Sequence, residues 1–251
     1  MLNEIDVEAI KKIALSAGDA IMQIYEKDFE IGYKDDKSPL TEADLKANEI
    51  ICTALENAYP DIPIMSEENK QTEYEVRKNW QYYWCIDPID GTKEFIKKND
   101  EFTVNIALIH KNRPVLGVVY APAIDELYSA KEGEGAFKNG ERLPLQKNDT
   151  PQEKLSVVAS KSHLSKETQN FIDALNTKKI EQVSKGSSLK LCMVAEGVAD
   201  IYPRLAPTME WDTAAADAVV REAGKMTYQF EKEEPMLYNK ENLLNPWFVV
   251  K

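Results

Sequence analysis

The chain has 251 residues, enough for one large or two small domains with a real buried core. Lys and Arg total 31 against 43 Asp and Glu, a formal charge of −12, which argues against a broad nucleic-acid-binding face because phosphate backbones need clustered cations. The N-terminus enters an amphipathic pattern without an apolar leader, and no apolar run reaches the about 20 residues of a membrane span.

A soluble, cytoplasmic protein without a transmembrane segment is therefore expected. Peripheral contact with the inner membrane is compatible with this, although the acidic charge opposes adhesion to anionic lipid. Cys52, Cys85 and Cys192 are odd in number, widely spaced and without a CxxC pair, so they read as core thiols of a reducing compartment.

Residues 6 to 28 carry Ile10, Ile13, Ala14, Ala17, Ile21 and Ile24 at helical spacing behind Asp6 as N-cap. A polar loop with Gly32, Asp35, Asp36 and Pro39 follows, and the next helix opens at Thr41 and stops before Pro60. Tyr82 to Ile86 reads as a buried strand ending in Asp87-Pro88. Val104 to Ile109 and Val115 to Tyr120 are the next strands, joined through a turn with Asn112 and Pro114, and Asn139-Gly140 marks another tight turn.

These elements make residues 1–150 an α+β domain with mostly antiparallel sheet. Beyond the polar stretch near Lys147 the pattern alternates, with strands at Ser156 to Ser160, Ile180 to Val183 and Ala199 to Tyr202, and helices at Ser165 to Leu175 and Ser187 to Glu196. Residues 151–251 are thus expected to form a second, α/β domain. Asp212 reads as the cap of a final helix whose Ala214, Ala215, Ala218, Val219 and Ala223 can pack closely, with Gly224 at C′.

The chemistry is concentrated in Asp87-Pro88-Ile89-Asp90-Gly91-Thr92. Two carboxylates at the end of a buried strand repel each other and resist ionisation unless a hard divalent cation neutralises them. Pro88 and Gly91 let the chain turn sharply, so Asp87, Asp90 and the Ile89 carbonyl can face one point. The same residues also suit a surface turn. Ser66-Glu67-Glu68 reads as ligand donor or as helix cap, and Thr41-Glu42-Ala43-Asp44 as capping box or as catalytic pair with Thr92.

Taken together, Ser66-Glu67-Glu68, Asp87 to Thr92 and Trp211-Asp212-Thr213-Ala214-Ala215 with Glu222-Ala223-Gly224 resemble the lithium-sensitive inositol monophosphatase superfamily over nearly the whole chain. Lys93-Glu94-Phe95-Ile96, Glu101-Phe102-Thr103-Val104-Asn105, Ser160-Lys161-Ser162-His163, Gly186-Ser187-Ser188-Leu189-Lys190 and Tyr202-Pro203-Arg204 are similar to its CysQ-type 3′(2′),5′-bisphosphate nucleotidases.

The resemblance implies a layered α-β-α-β-α sandwich, combining α+β and α/β parts, and a Mg²⁺-dependent phosphomonoesterase. It would convert 3′(2′)-phosphoadenosine 5′-phosphate to AMP and phosphate, with 3′-phosphoadenosine 5′-phosphosulfate as a further substrate, in sulfur assimilation and nucleotide turnover. About two to three Mg²⁺ ions would be held by Glu67, Asp87, Asp90, Asp212 and the Ile89 carbonyl. Thr92 backed by Asp44 would orient the attacking water, and the Gly91 and Thr92 N–H groups would hold the phosphoryl oxygens. His163, Ser187, Lys190 and Arg204 would contact the nucleotide and its retained phosphate. A monomer or homodimer fits the reading equally.

Two rivals remain at this stage. An inositol or sugar monophosphatase on the same scaffold is distinguished by whether His163, Lys190 and Arg204 converge beside the acids. A non-catalytic Mg²⁺ or Ca²⁺ module is distinguished by Asp44 lying remote from Thr92.

Overall fold

The computed structural model describes residues 1–27, 31–33, 39–145, 154–159, 165–175 and 179–251. Helix α1 (Val7–Tyr25) starts as expected at Asp6, whose side chain accepts from the Glu8 N–H at 2.9 Å. Strands β1 (Ile31–Tyr33) and β2 (Pro39–Thr41) pair antiparallel in a stretch expected to be loop, since two strands this short leave no hydropathy signature; Asp35 and Asp36 lie outside the described residues. Helix α2 (Glu42–Ala58) packs against α1 and buries Ala43, Ala47, Ile51 and Leu55.

The chain continues through β3 (Ile64–Ser66), α3 (Tyr74–Arg77), β4 (Tyr82–Asp90), α4 (Thr92–Ile96), β5 (Thr103–His110), β6 (Arg113–Ala121), β7 (Glu126–Lys131), β8 (Gly135–Lys138) and β9 (Glu141–Arg142). Strands β3 to β9 form one seven-stranded sheet in chain order, parallel between β3 and β4 and antiparallel thereafter. Its strands read as continuous apolar runs because both faces are covered. Trp84, Ile86, Val104, Ile106, Leu108 and Val118 pack in the core under α1 and α2. Tyr83, Cys85, Ala107, Ile109 and Val119 belong to a second core shared with residues far along the chain. All three cysteines are free and buried.

The later elements are β10 (Lys154–Ala159), α5 (Lys166–Asp173), β11 (Lys179–Ser184), α6 (Leu189–Glu196), β12 (Tyr202–Arg204), α7 (Ala214–Glu222), β13 (Thr227–Gln229) and β14 (Phe248–Val250). β10 and β11 pair parallel, and β14 lies antiparallel between β12 and β13. The strand expected at Ala199 to Tyr202 begins instead at Tyr202. Asp200 turns back to accept from the Ser156 N–H at 2.7 Å, and Ile201 makes only an isolated bridge to Val157.

Helix α7 lies on the large sheet and touches β4 through β8. The layers are thus α1 with α2, the large sheet, α6 with α7, the small sheets, and α5, the α-β-α-β-α sandwich expected. The boundary near residue 150 falls outside the described residues, and α7 reaches across it to the sheet of the first half. The helix comes very close at Gly117 on β6: a Cβ built there would stand 2.1 Å from the Ala215 carbonyl oxygen and 2.8 Å from Ala218 Cβ. Among the described residues no helix is long and apolar enough to cross a membrane.

Candidate active site

The acids come together because three elements end at one place. β3 runs parallel to β4 with Ser66 opposite Ile86, and the Glu67 N–H donates to the Ile86 carbonyl at 3.1 Å, so Glu67 falls beside Asp87. No helix begins at Ser66; its hydroxyl instead donates to Asn48 Oδ1 on α2 at 2.6 Å, which ties the Glu67 turn to the helix that carries Asp44. β4 does not stop at Ile86. It continues to Asp90 through a register shift between Asp87 and Asp90, and this bulge re-aims both carboxylates.

Asp212 approaches from the α7 side. It does not cap that helix: Thr213 is the N-cap, and the Asp212 carboxylate accepts from the Met209 N–H at 2.9 Å. The loop before it is fixed by Glu210, a fully buried acid missed in the sequence reading, which accepts from the Asn239 N–H at 2.7 Å and from Lys240 Nζ at 2.6 Å.

One carboxylate oxygen from each of Glu67, Asp87 and Asp212 lies within 4.8 Å of the other two. Asp90 stands beside this group, and Asp90, Glu67 and Asp212 all line one cavity of about 220 Å³. Asp87 is only 1 % exposed and sits behind the lining, with its Oδ1 accepting from the Ile89 N–H at 3.0 Å. Burial and then the charges of Glu67, Asp90, Asp212 and Asp44 hold the Asp87 carboxyl well above the usual carboxylate range. Asp212 is raised in the same way, by burial and then Asp90. Asp90 is pushed up to about 6 by burial, against the pull of Lys190 and of the Ser188 main-chain N–H.

Such a group fits a hard divalent cation, whose positive charge removes the repulsion and whose coordination is met by oxygen ligands. The Ile89 carbonyl is on hand: Thr92 Oγ1 lies 3.4 Å from it, while the Ile89 side chain is buried in the core beneath α1 and α2. Gly91, at φ 95°, makes the reversal that lets Thr92 begin α4 over the acids.

Thr41 and Asp44 form the capping box, and Thr92 Oγ1 donates to the remaining oxygen, Asp44 Oδ1, at 3.3 Å. The capping box is thus present, and the same carboxylate also reaches Thr92.

The same cavity is lined by Ser187, Lys190 and Arg204, joined by Glu94, Tyr202 and Phe248. Lys190 Nζ donates to the Ser187 carbonyl at 2.6 Å and stands 5.8 Å from the centre of the Tyr202 ring. Burial lowers its pKa to about 8 in spite of the nearby Asp90. Arg204 donates to the Pro207 carbonyl at 3.1 Å, and its buried Nε has no hydrogen-bond partner among the described residues. Phe248 reaches the site as the cross-strand partner of Arg204. His163 lies outside the described residues.

The family model for the inositol monophosphatase family matches residues 1–247. The chain is 46% identical over 248 residues to the 3′(2′),5′-bisphosphate nucleotidase CysQ of Salmonella typhimurium, covering 97% of this chain and 98% of that protein. It is 38% identical over 252 residues to the enzyme of that name from Haemophilus influenzae, covering 99% and 93%. Among solved structures, that of CysQ from Bacteroides thetaiotaomicron superposes with a TM-score of 0.88 at 47% identity, covering 98% of this chain and 96% of that one.

Proposed function

Since the chain belongs to the inositol monophosphatase family, we propose that its acid cluster holds the divalent cations at which one phosphate of a bisphosphorylated nucleotide is hydrolysed. The protein is a phosphomonoesterase with 3′(2′),5′-bisphosphate nucleotidase activity. The substrate is 3′(2′)-phosphoadenosine 5′-phosphate and the products are AMP and phosphate. Magnesium is the cation, about two to three ions per site.

The observation that carries the residue assignment is the convergence of Glu67, Asp87 and Asp212 within 4.8 Å, in a cavity that Lys190 and Arg204 also line. Glu67, Asp87 and the Ile89 carbonyl would hold one ion, and Asp87, Asp90 and Asp212 another. Bound there, magnesium supplies a lowered pKa for water and charge neutralisation for the leaving oxygen.

The chain's own groups do the rest. Thr92 Oγ1, whose proton points to Asp44, offers its lone pairs to the attacking water and holds it on the side of the phosphate away from the leaving group. The Gly91 and Thr92 N–H groups receive the phosphoryl oxygens. In the same cavity Lys190 and Arg204 hold the phosphate that is not cut, and Ser187 and His163 complete the nucleotide contacts. The Tyr202 and Phe248 rings give the base an apolar wall.

Two cations lining the same cavity as the acids favour a substrate with a second anionic group over an inositol or sugar monophosphate. The Thr92–Asp44 contact favours catalysis over a passive cation-binding module. Phosphate release from a panel of bisphosphate nucleotides, 3′-phosphoadenosine 5′-phosphosulfate and inositol phosphates, with and without Mg²⁺ and Li⁺, tests the reading. Fast, Mg²⁺-dependent, Li⁺-inhibited turnover of the adenosine bisphosphates is expected, and a preference for inositol monophosphate would overturn the nucleotide assignment.

A further inference from the structure

Strand β5 begins with two polar residues on a face that is otherwise apolar. Thr103 and Asn105 are 0 % and 1 % exposed and alternate with Val104 and Ile106 of the opposite core. In the ladder Thr103 is the partner of Asp90, and Asn105 the partner of Asp87. Residues paired across antiparallel strands project to the same side, so these two groups stand directly beneath the acids.

Both side chains meet Ser188 at the start of α6, itself 1 % exposed. Ser188 Oγ donates to Asn105 Oδ1 at 2.8 Å, Asn105 Nδ2 donates to Thr103 Oγ1 at 3.2 Å, and Thr103 Oγ1 lies 2.8 Å from Ser188 Oγ. With Thr103 as donor in the last contact the ring closes, each hydroxyl giving one hydrogen bond and receiving one. The main-chain N–H of Ser188 faces the Asp90 carboxylate and favours its charged form. The preceding Ser187, at φ 45°, directs its carbonyl to Lys190 Nζ.

We propose that Thr103, Asn105 and Ser188 are positioning residues, a buried hydrogen-bonded ring that fixes the Ser188 N–H against Asp90 and so orients that carboxylate toward the divalent cation while holding the Lys190 wall. The inference rests on the reading of Asp90 as a metal ligand. Partners of ligating carboxylates commonly change metal affinity or activity by roughly 10- to 100-fold when removed. A ring that served only to fill the core would change stability and leave cation affinity alone.

The test is calorimetric titration of the substrate-free full chain with Mg²⁺, alongside kcat and KM on the bisphosphate nucleotide. Thr103→Val keeps the shape and removes the hydroxyl; Thr103→Ser restores it. Thr103→Val is expected to weaken Mg²⁺ binding by roughly tenfold and to lower kcat more than it raises KM, while Thr103→Ser stays within about twofold of wild type. Should Thr103→Val fail to fold, Ser188→Ala, which keeps the N–H, carries the same expectation.

In an Asp90→Asn background the further loss of Mg²⁺ affinity should vanish, because both changes act through one carboxylate. An additive loss there, or wild-type Mg²⁺ affinity in a folded Thr103→Val variant, would overturn the proposal. If the wild-type chain itself neither binds Mg²⁺ nor releases phosphate, the metal-site reading fails and takes the ring with it. If the wild type does both and only the ring variants are silent, the ring falls alone.

Discussion

Asp44 and Thr92 are 3.3 Å apart, joined by a hydrogen bond from the threonine hydroxyl to Oδ1 of the acid. The other oxygen, Oδ2, accepts from the Thr41 N–H at 2.7 Å and from its hydroxyl at 2.6 Å. One buried carboxylate therefore starts α2 and holds the Thr92 hydroxyl, so under the proposed mechanism helix capping would supply the rigidity that water activation needs.

The two duties should separate by mutation. Thr92→Val is expected to lower kcat by roughly 10²- to 10⁴-fold, the usual worth of positioned proton transfer, with little change in melting temperature. Thr41→Ala should cost about 1 kcal/mol of stability as a lost cap and retain most of the turnover. Steady-state kinetics and chemical denaturation on both variants check this, and a Thr92→Val enzyme of near-normal kcat would remove Thr92 from the mechanism.

Asp90→Asn and Asp212→Asn should each abolish Mg²⁺-dependent phosphate release while leaving the chain folded. Each removes one like charge from a crowded buried set, so the metal-free variants are expected to melt no lower than the metal-free wild type. Circular dichroism with chelator present measures this; retention of most of the activity by either variant would refute its assignment as a ligand.

The raised carboxyl of Asp90 sets a pH dependence whose sign can be worked out. Its folded pKa of about 6 lies above the value of about 3.9 for an unfolded aspartate, so between these the native state binds more protons. Stability of the metal-free protein should therefore decline as pH rises through that window, with the loss complete above it. Asp87 and Asp212, also held well above the usual carboxylate range by burial and their acidic neighbours, add to the decline with the same sign. Added Mg²⁺ should reverse the slope, since its ligands must shed protons to bind. Melting curves at pH 5 and pH 7.5, with chelator and with Mg²⁺, provide the comparison; an Asp90→Asn variant with the same chelated slope as wild type would count against Asp90 as a contributor.

Arg204→Ala should impair hydrolysis of 3′-phosphoadenosine 5′-phosphate far more than hydrolysis of a simple sugar monophosphate. The lost group is a charge-assisted contact to the retained phosphate, and about 2 kcal/mol, or some 30-fold in kcat/KM, is a reasonable size for it. Equal losses on both substrates would place Arg204 outside the nucleotide contacts.

Much of this was legible in the sequence because the informative residues are close together in it. Asp87 to Thr92 is six consecutive residues, from the end of β4 to the start of α4, and the capping box spans four. The helices of the first half announce themselves by apolar periodicity. What escaped depends on partners distant in the chain. An Asp before an alanine-rich run is the ordinary N-cap signal, yet Asp212 is drawn back to the Met209 N–H and leaves the cap to Thr213. Phe248 carries no local sign of its place beside Arg204, which comes from the pairing of β12 with the terminal strand. The buried clasp of Glu210 on Lys240 looks in the sequence like any acid and any lysine.

The bare backbone at Gly117 gives the fold a built-in spacer. Asp87 belongs to the sheet and Asp212 precedes the helix resting on it, and at this contact only a hydrogen atom separates the two layers. A methyl group there would act as a wedge under the helix, prising the two acids apart without touching either. Selection for an enzyme that works can thus hold a residue constant at a position remote from substrate, cation and solvent, simply because it sets the gauge of the cleft.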